Sequence, residues 1–97
     1  MRIISKKALI DYWKKVPAAE AELKAWHAEA KTADWEKPAA MKEKYGNASI
    51  LKDGRAVFNI CGNNYRLVVW INYAFHTVYI RFVGTHDEYD KIDAQTV

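Results

Sequence analysis

Between Lys6 and Val16 the residues Leu9, Ile10, Trp13 and Val16 share one face at helical spacing, with Lys and Asp opposite. That pattern predicts an amphipathic helix. Ser5, just before it, is the expected N-cap, and the short β-branched stretch Arg2-Ile3-Ile4 reads as an edge strand. Pro17 stops the helix and suits the first turn of a second one. From about Ala18 to Thr32, Ala19, Leu23, Trp26 and Ala30 form a second apolar stripe among Ala, Glu and Lys. Trp13 and Trp26 are expected to pack between this helix pair and a sheet. Asp34 to Pro38 is irregular, Pro38 to Lys42 begins a short helical turn, and Gly46-Asn47 ends it.

From Ala48 onward the period changes to two. Ile50-Leu51-Lys52 leads into Asp53-Gly54, a tight-hairpin signal. Arg55 to Cys61 is a strand, Gly62-Asn63-Asn64 a turn, Tyr65 to Tyr73 a strand and Thr77 to Gly84 the last strand, after a looser turn near Ala74-Phe75. The polar tail, Thr85 to Val97, has room for a short helix, and as a terminal segment it is expected to order poorly without a partner. These elements predict an α+β fold, a helical pair on one face of a mainly antiparallel sheet of four to five strands. Residues 1–97 read as a single domain, with no internal repeat, low-complexity tract or linker.

The alternation also predicts a register. A two-residue turn at Asn63-Asn64 pairs Cys61 with Arg66 and Asn59 with Val68. A hairpin closed by Ala74-Phe75 pairs Val68 with Arg81, Arg66 with Val83 and Trp70 with Tyr79. Asn59, Cys61, Arg66, Val68, Trp70, Tyr79 and Arg81 then share one face. Phe58, Ile60, Leu67, Val69, Ile71, Val78, Ile80 and Phe82 share the other, which is wholly apolar and must meet the helices. Arg66 begins its strand where the last strand ends, so His86 and Tyr89 fall beside Arg66 and the Gly62–Asn64 turn. Arg66, His86 and Tyr89 are expected to face one pocket, with Arg81 farther along. A one-residue slip in register scatters the set.

The chain has 97 residues, 51% of them hydrophobic, with four Trp and six Tyr, a composition for a folded core rather than a disordered tail. Apolar runs are too short to span a membrane and the N-terminus has no apolar signal region. The lone cysteine, Cys61, reads as a small strand residue and fits a reducing compartment, so the expected location is cytoplasmic. The formal charge is +3, too small to declare nucleic-acid binding alone. Ten Lys or Arg stand against seven Asp or Glu in residues 1–49, and five against five in residues 50–97. The first group, nearly all Lys at helical spacing, is a solvated face. Arg55, Arg66 and Arg81 instead sit in a β pattern, where an arginine usually has a defined anionic partner. On chemistry alone that partner is either a phosphate or one of Asp87, Glu88 and Asp90.

RNA cleavage by its own 2′-hydroxyl needs a base, an acid and stabilised charge on phosphorus. Arg66 can contact phosphate bidentately, His86 titrates near working pH, and Tyr89 can stack on a base or move a proton. No metal or cofactor is called for. His27, His76 and His86 are too scattered for a metal site, and the four glycines are isolated rather than grouped into a phosphate loop.

The run Phe58-Asn59-Ile60-Cys61-Gly62-Asn63-Asn64-Tyr65-Arg66-Leu67-Val68, followed by Val78 to Asp90 with its Thr85-His86-Asp87-Glu88-Tyr89-Asp90 ending, resembles the HigB-type branch of the RelE-like toxins. The Lys-Ala-Leu opening of the first helix and the Lys37-Pro38 segment resemble it too. The resemblance implies a RelE-like fold and ribosome-dependent, metal-independent cleavage of mRNA by 2′-hydroxyl attack. It also implies a HigA-type helix-turn-helix antitoxin, through which alone operator DNA would be bound. Arg66 matches the strand arginine that contacts the scissile phosphate in such toxins. His86 takes the place of a second catalytic basic residue, and Tyr89 lies near where a C-terminal tyrosine acts or stacks. Val57 and Asn59 stand where RelE carries lysines, the nearest cations being Lys52 and Arg55. The candidate catalytic set is therefore Arg66, His86 and Tyr89, and the candidate RNA-binding set Asn59, Asn63, Arg81, Lys52 and Arg55. A non-catalytic RNA-binding or regulatory protein, or a structural protein with ion-paired arginines, is the alternative on the same fold.

Overall fold

The change of period divides the chain into a helical half and a sheet half. In the computed structural model, which describes residues 1–97, the order is β1 (Arg2–Ile4), α1 (Lys6–Lys15), a single turn (Pro17–Ala19), α2 (Glu20–Thr32), α3 (Pro38–Lys44), β2 (Ser49–Ile50), β3 (Arg55–Ile60), β4 (Tyr65–Asn72), β5 (Thr77–Thr85) and α4 (His86–Tyr89). The sheet order is β1-β5-β4-β3-β2. β1 runs parallel to β5, with Arg2 opposite Thr77 and Ile4 opposite Tyr79, and every other pair is antiparallel. This is the expected α+β, RelE-like architecture of a mainly antiparallel sheet with helices on one face. No helix is long and apolar enough to cross a membrane.

The two helical stripes meet the sheet as their spacing requires. Leu9, Trp13, Leu23, Trp26 and Ala30 share one buried cluster with Phe58, Ile60, Leu67, Val69, Ile71, Val78 and Ile80. Trp26 meets Phe58 edge-on with ring centroids 5.3 Å apart. Trp35 and Tyr45 close on the same ring at 6.2 and 5.0 Å, an arrangement such quadrupoles favour. The stretch that the sequence leaves irregular is thus part of the core, with Met41 of α3 fully buried.

Four local expectations change. Ser5 makes no side-chain cap; its backbone is left-handed at φ 72°, and its carbonyl accepts from the Ala8 N–H at 2.9 Å. Cys61 lies in a four-residue loop, Cys61–Asn64, rather than a strand, with Cys61 and Gly62 at φ 53° and 65°. Asn59 therefore pairs with Arg66 instead of Val68, a shift by an even number that leaves every side chain on its expected face. In β5 the register slips by one. Trp70 pairs with Tyr79 as expected, but Val68 pairs with Phe82 and Arg66 with Gly84, the irregularity falling at Val68/Val69. Arg81 is the extra residue of this bulge, so Phe82 turns to the face away from the helices and Val83 turns toward them. Residues 90–97, finally, are tied down. Gln95 bonds both backbone groups of Lys52, at 3.1 and 2.8 Å, and Arg55 reaches the carbonyl of Ala94 at 3.1 Å.

The Asp53-Gly54 turn forms with both residues at positive φ, 56° and 82°, as tight primed turns require. It docks on the sheet: Trp70 Nε1 donates to the Asp53 carbonyl at 2.8 Å. A Cβ on Gly54 would stand 2.5 Å from the Ile71 carbonyl oxygen. Gly54→Ala combines left-handed strain with a backbone clash, so we expect it to cost about 2 kcal/mol or more. A fall in the urea midpoint at unchanged m checks it; a midpoint equal to wild type refutes it.

Candidate active site

The face of the sheet away from the helices is built in three cross-strand rows. Asn59, Arg66 and Gly84 form the row nearest α4; Val57, Val68 and Phe82 form the next; Arg55, Trp70 and Tyr79 form the third. Trp70 and Tyr79 stack with centroids 4.8 Å apart. Gly84 is small for a reason: a Cβ there would lie 2.6 Å from the Phe82 ring. That ring leans over the backbone beside Arg66.

Arg66 is only 9% exposed. Its Nη1 donates to the carbonyls of Asn63 at 3.1 Å and Tyr65 at 3.4 Å, and its Nη2 to Asn63 Oδ1 at 2.7 Å. The guanidinium lies 5.7 Å from the centre of the Tyr89 ring, within cation–π range. These contacts leave the Nε–H and one Nη2–H for a ligand, since arginine carries five donors. Asn63 thus holds Arg66 in place.

The helix α4 is one turn long and is set by a capping box. Thr85 Oγ1 accepts from the Glu88 N–H at 3.1 Å, and Glu88 Oε1 accepts from the Thr85 N–H at 2.8 Å. The His86 N–H donates to the Asn64 carbonyl at 3.0 Å, fastening this turn to the loop that precedes Arg66. Half-exposed His86 places Nδ1 3.1 Å from Asp90 Oδ2. A carboxylate on Nδ1 fixes the ring and leaves Nε2 as the nitrogen for proton transfer. Donor atoms of His86, Asp87 and Asp90 lie within 4.8 Å of one another, though both acids are exposed.

Arg66, Asn63 and Tyr89 therefore meet at one end of the sheet, His86 is tied there through its backbone while its ring faces Asp90, and Asn59 lies opposite Arg66 on β3. The remaining candidates, Lys52, Arg55 and Arg81, gather farther along the face against residues 94–97. Arg81 Nε donates to the Val97 main-chain oxygen at 3.1 Å, and Arg55 Nη1 to the same oxygen at 2.6 Å. Asn59 Nδ2 donates to the Asn47 carbonyl at 3.3 Å. Pairing with Asp87, Glu88 or Asp90 is not met: the five ion pairs between side chains within 4 Å involve lysines and histidines. Asp90 was not singled out as a partner of His86, although its position four residues on along a helix is a legible signal. The Thr85–Glu88 spacing of a capping box was equally legible. Cys61 is a poor nucleophile here, its thiol pushed up by burial and then by Glu22.

Comparison with known proteins supplies the family. Residues 19–92 match the HigB toxin family, described as the RelE-like toxic component of a toxin-antitoxin system. The mRNA interferase toxin HigB of Escherichia coli (strain K12) is 35% identical over 96 residues, covering 97% of this chain and 92% of the relative. The mRNA interferase HigB of Shigella flexneri matches to the same extent. That of Escherichia coli O6:H1 (strain CFT073) is 28% identical over 94 residues, 95% of this chain and 91% of the relative.

The capping box yields a pH prediction. The Thr85 backbone N–H, offset slightly by burial and helped by the Thr85 hydroxyl, Lys15 and Lys91, holds the Glu88 carboxyl below its ordinary value of 4.5. A lowered carboxyl stabilises fully above the unfolded value, and its contribution is lost as pH falls through the folded one. Hydrogen-exchange protection in residues 86–90 should hold from pH 7 to about 4.5 and decline below it. Thr85→Ala should remove about 1 kcal/mol at neutral pH. Protection that is flat down to pH 3 would contradict the assignment.

Proposed function

This chain belongs to the HigB family of RelE-like toxins and is an endoribonuclease of the mRNA interferase class, and we propose that it cuts messenger RNA on the ribosome through Arg66, His86 and Tyr89. The observation that carries this reading is the junction at the end of the sheet. Tyr89 lies over the Arg66 guanidinium, and His86, oriented by Asp90, is bonded to the loop that leads into Arg66.

In this mechanism the 2′-oxygen of one nucleotide attacks the adjacent phosphorus. A P–O bond to the 5′-oxygen breaks, leaving a 2′,3′-cyclic phosphate and a 5′-hydroxyl. His86 Nε2 is the proton-transfer site, and the remaining Arg66 N–H groups stabilise the charge that develops on phosphorus. Tyr89 fixes the Arg66 plane and offers a ring edge to a base. Asn63 holds Arg66, Asn59 positions the chain beside it, and Lys52, Arg55 and Arg81 contact the backbone farther along. One proton leaves the 2′-hydroxyl and one reaches the departing 5′-oxygen, His86 and Tyr89 being the two groups that carry them, so no step calls for a metal; Asp90 serves His86, and Asp87 stands in solvent.

The shape of the surface supports the reading in which the ribosome positions the substrate. The three concave pockets of the molecule are lined by other residues, none by Arg66, His86 or Tyr89. The formal charge of +3 supports little free RNA affinity. A shallow site with few cations needs its substrate presented to it. The same reading places the protein in the cytoplasm, held inactive by a HigA-type helix-turn-helix antitoxin that carries the operator-binding function.

Induction of this chain in a bacterial culture should arrest growth and produce codon-phased cuts in a reporter mRNA by primer extension. His86→Gln should lower cleavage by about two orders of magnitude at equal soluble expression, and cleavage in a translation extract should survive chelation of metals other than the magnesium that ribosomes need. Full activity of His86→Gln would reject its role; intact mRNA and normal growth with the soluble wild-type chain would reject ribosomal cleavage.

A further inference from the structure

A groove of about 270 Å³ runs between α2 and the β3 edge of the sheet, lined on its apolar side by Ala25, Trp26, Tyr45 and Phe58. A depression of about 180 Å³ continues it along residues 44–48 and shares Tyr45, Phe58 and Asn59 with it. The groove also holds two acids, Glu22 and Glu29, which stand two helical turns or about 10 Å apart on α2. They are set in a chain of formal charge +3. Glu22 accepts the Cys61 N–H and Glu29 the Tyr45 hydroxyl; these donors are neutral, so both carboxylates keep their charge. The one cation paired with either is Lys44, 4.0 Å from Glu29 with 59% of its side chain exposed, an ion pair worth little.

The same groove borders an unpaired strand edge. β2 covers β3 only at Ala56 and Val57. The Leu51 N–H bonds the Arg55 carbonyl at 2.8 Å, and the main-chain groups of a strand alternate between its two neighbours. Residues 55, 57 and 59 therefore turn theirs to this edge, and 56, 58 and 60 turn theirs to β4. Asn59 is the first of the outward set beyond β2, so its N–H and C=O are open to an added strand. The next, Cys61, already has its N–H on Glu22. Trp26, which lines the groove, keeps a buried Nε1–H without a partner. A bare edge beside an apolar groove is a template for another chain.

We propose that an extended basic segment of the antitoxin docks in this groove, pairing with the Asn59 main chain and setting cationic side chains against Glu22 and Glu29. The proposal rests on the toxin reading for its partner, and adds the surface that partner takes and the chemistry it brings. Strand addition gives affinity through main-chain bonds and specificity through side-chain pockets, and complementary charge selects the partner. A second copy of this chain fits poorly, since most of its lysines lie on helices. An RNA strand is repelled by the two carboxylates. A segment seated here lies about 4.8 Å from β3 and about 10 Å from β4. It flanks the cross-strand row of Asn59 and Arg66, and holds the antitoxin at the rim that a messenger strand must cross.

The test titrates the full-length chain with its purified cognate antitoxin by calorimetry at low and high salt. Glu22→Gln combined with Glu29→Gln keeps both hydrogen-bond acceptors and removes both charges. It should weaken binding about tenfold at low salt and flatten the salt dependence. Ala25→Arg puts bulk and a like charge into the groove and should weaken binding about a hundredfold. Both variants should still cleave a reporter mRNA in a translation extract, and both should escape an antitoxin concentration that silences wild type. A benzophenone amino acid in place of Asn47 should cross-link to a non-helical antitoxin segment that carries Lys or Arg, mapped by mass spectrometry. Unchanged affinity in either variant, or a cross-link only to a second copy of this chain, overturns the docking site. Wild type that binds antitoxin but cuts no mRNA rejects the nuclease reading, while the calorimetry and the cross-link still decide the docking site. Matched thermal unfolding of variants and wild type separates lost docking from misfolding.

Discussion

Side chains along a strand alternate between two faces, so one residue inserted into a strand reverses everything beyond it. In β5 that residue is Arg81. Before it, Val78 and Ile80 point at the helices; beyond it, Val83 does, while Phe82 and Gly84 turn to the open face. Gly84 thereby stands opposite Arg66, and its missing side chain admits the Phe82 ring. Thr85 lands opposite Tyr65 at the last rung and becomes the N-cap of α4. A β5 without the insertion would set Val83 against Arg66 and aim α4 from the opposite face. The position of His86 and Tyr89 relative to Arg66 is therefore a consequence of one backbone irregularity some distance away from them.

The second requirement is local. A helix of one turn has no stability of its own, so α4 depends on its ends. Thr85 and Glu88 satisfy each other's amides, and the Asn64 carbonyl takes the His86 N–H. The loop Cys61–Asn64 contributes on both sides of the site, since Asn63 holds the Arg66 guanidinium while Asn64 holds α4. With Cys61 and Gly62 both at positive φ, the loop turns tightly enough for these two carbonyls to point at different partners.

These features differ in how plainly the sequence displays them, and the difference has a physical basis. Period and spacing are carried by every residue of an element, so the stripe Leu23, Trp26, Ala30 and the alternation Leu67, Val69, Ile71 were readable at once. Register is carried by loops, which add or remove residues without changing the pattern. The loop before Tyr65 is longer than a two-residue turn by an even number, so Asn59 and Arg66 kept their faces; Tyr89 comes within 5.7 Å of the Arg66 guanidinium, but no pocket encloses Arg66, His86 and Tyr89 together. The bulge changes parity, and with it Phe82 and Val83 exchanged faces. Nothing in Ile80-Arg81-Phe82-Val83 marks an inserted residue, because a run of mixed large residues fits either face. The polar composition of the tail predicts a loose segment; its anchors, the Gln95 amide on the Lys52 backbone and main-chain oxygens on Arg55, are contacts that composition does not reveal.

What the arginines are bonded to explains how so modest a charge can serve a polyanionic substrate. Arg66 donates to the carbonyls of Asn63 and Tyr65 and to the Asn63 amide oxygen, and Arg55 and Arg81 donate to main-chain oxygens. A carboxylate partner would position a guanidinium and cancel its field; a carbonyl positions it and leaves most of the charge in place. The chain spends its acids elsewhere, on exposed lysines of the helical half and on His76 and His86. The Arg66 guanidinium is thereby already held in direction with its charge uncancelled by a side-chain carboxylate. Preorganised charge of this kind loses little when a phosphate arrives, because the donors need not be gathered from solvent. The cost falls on the free state, in which the Arg66 guanidinium, only 9% exposed, keeps donors without a protein partner beside buried apolar residues.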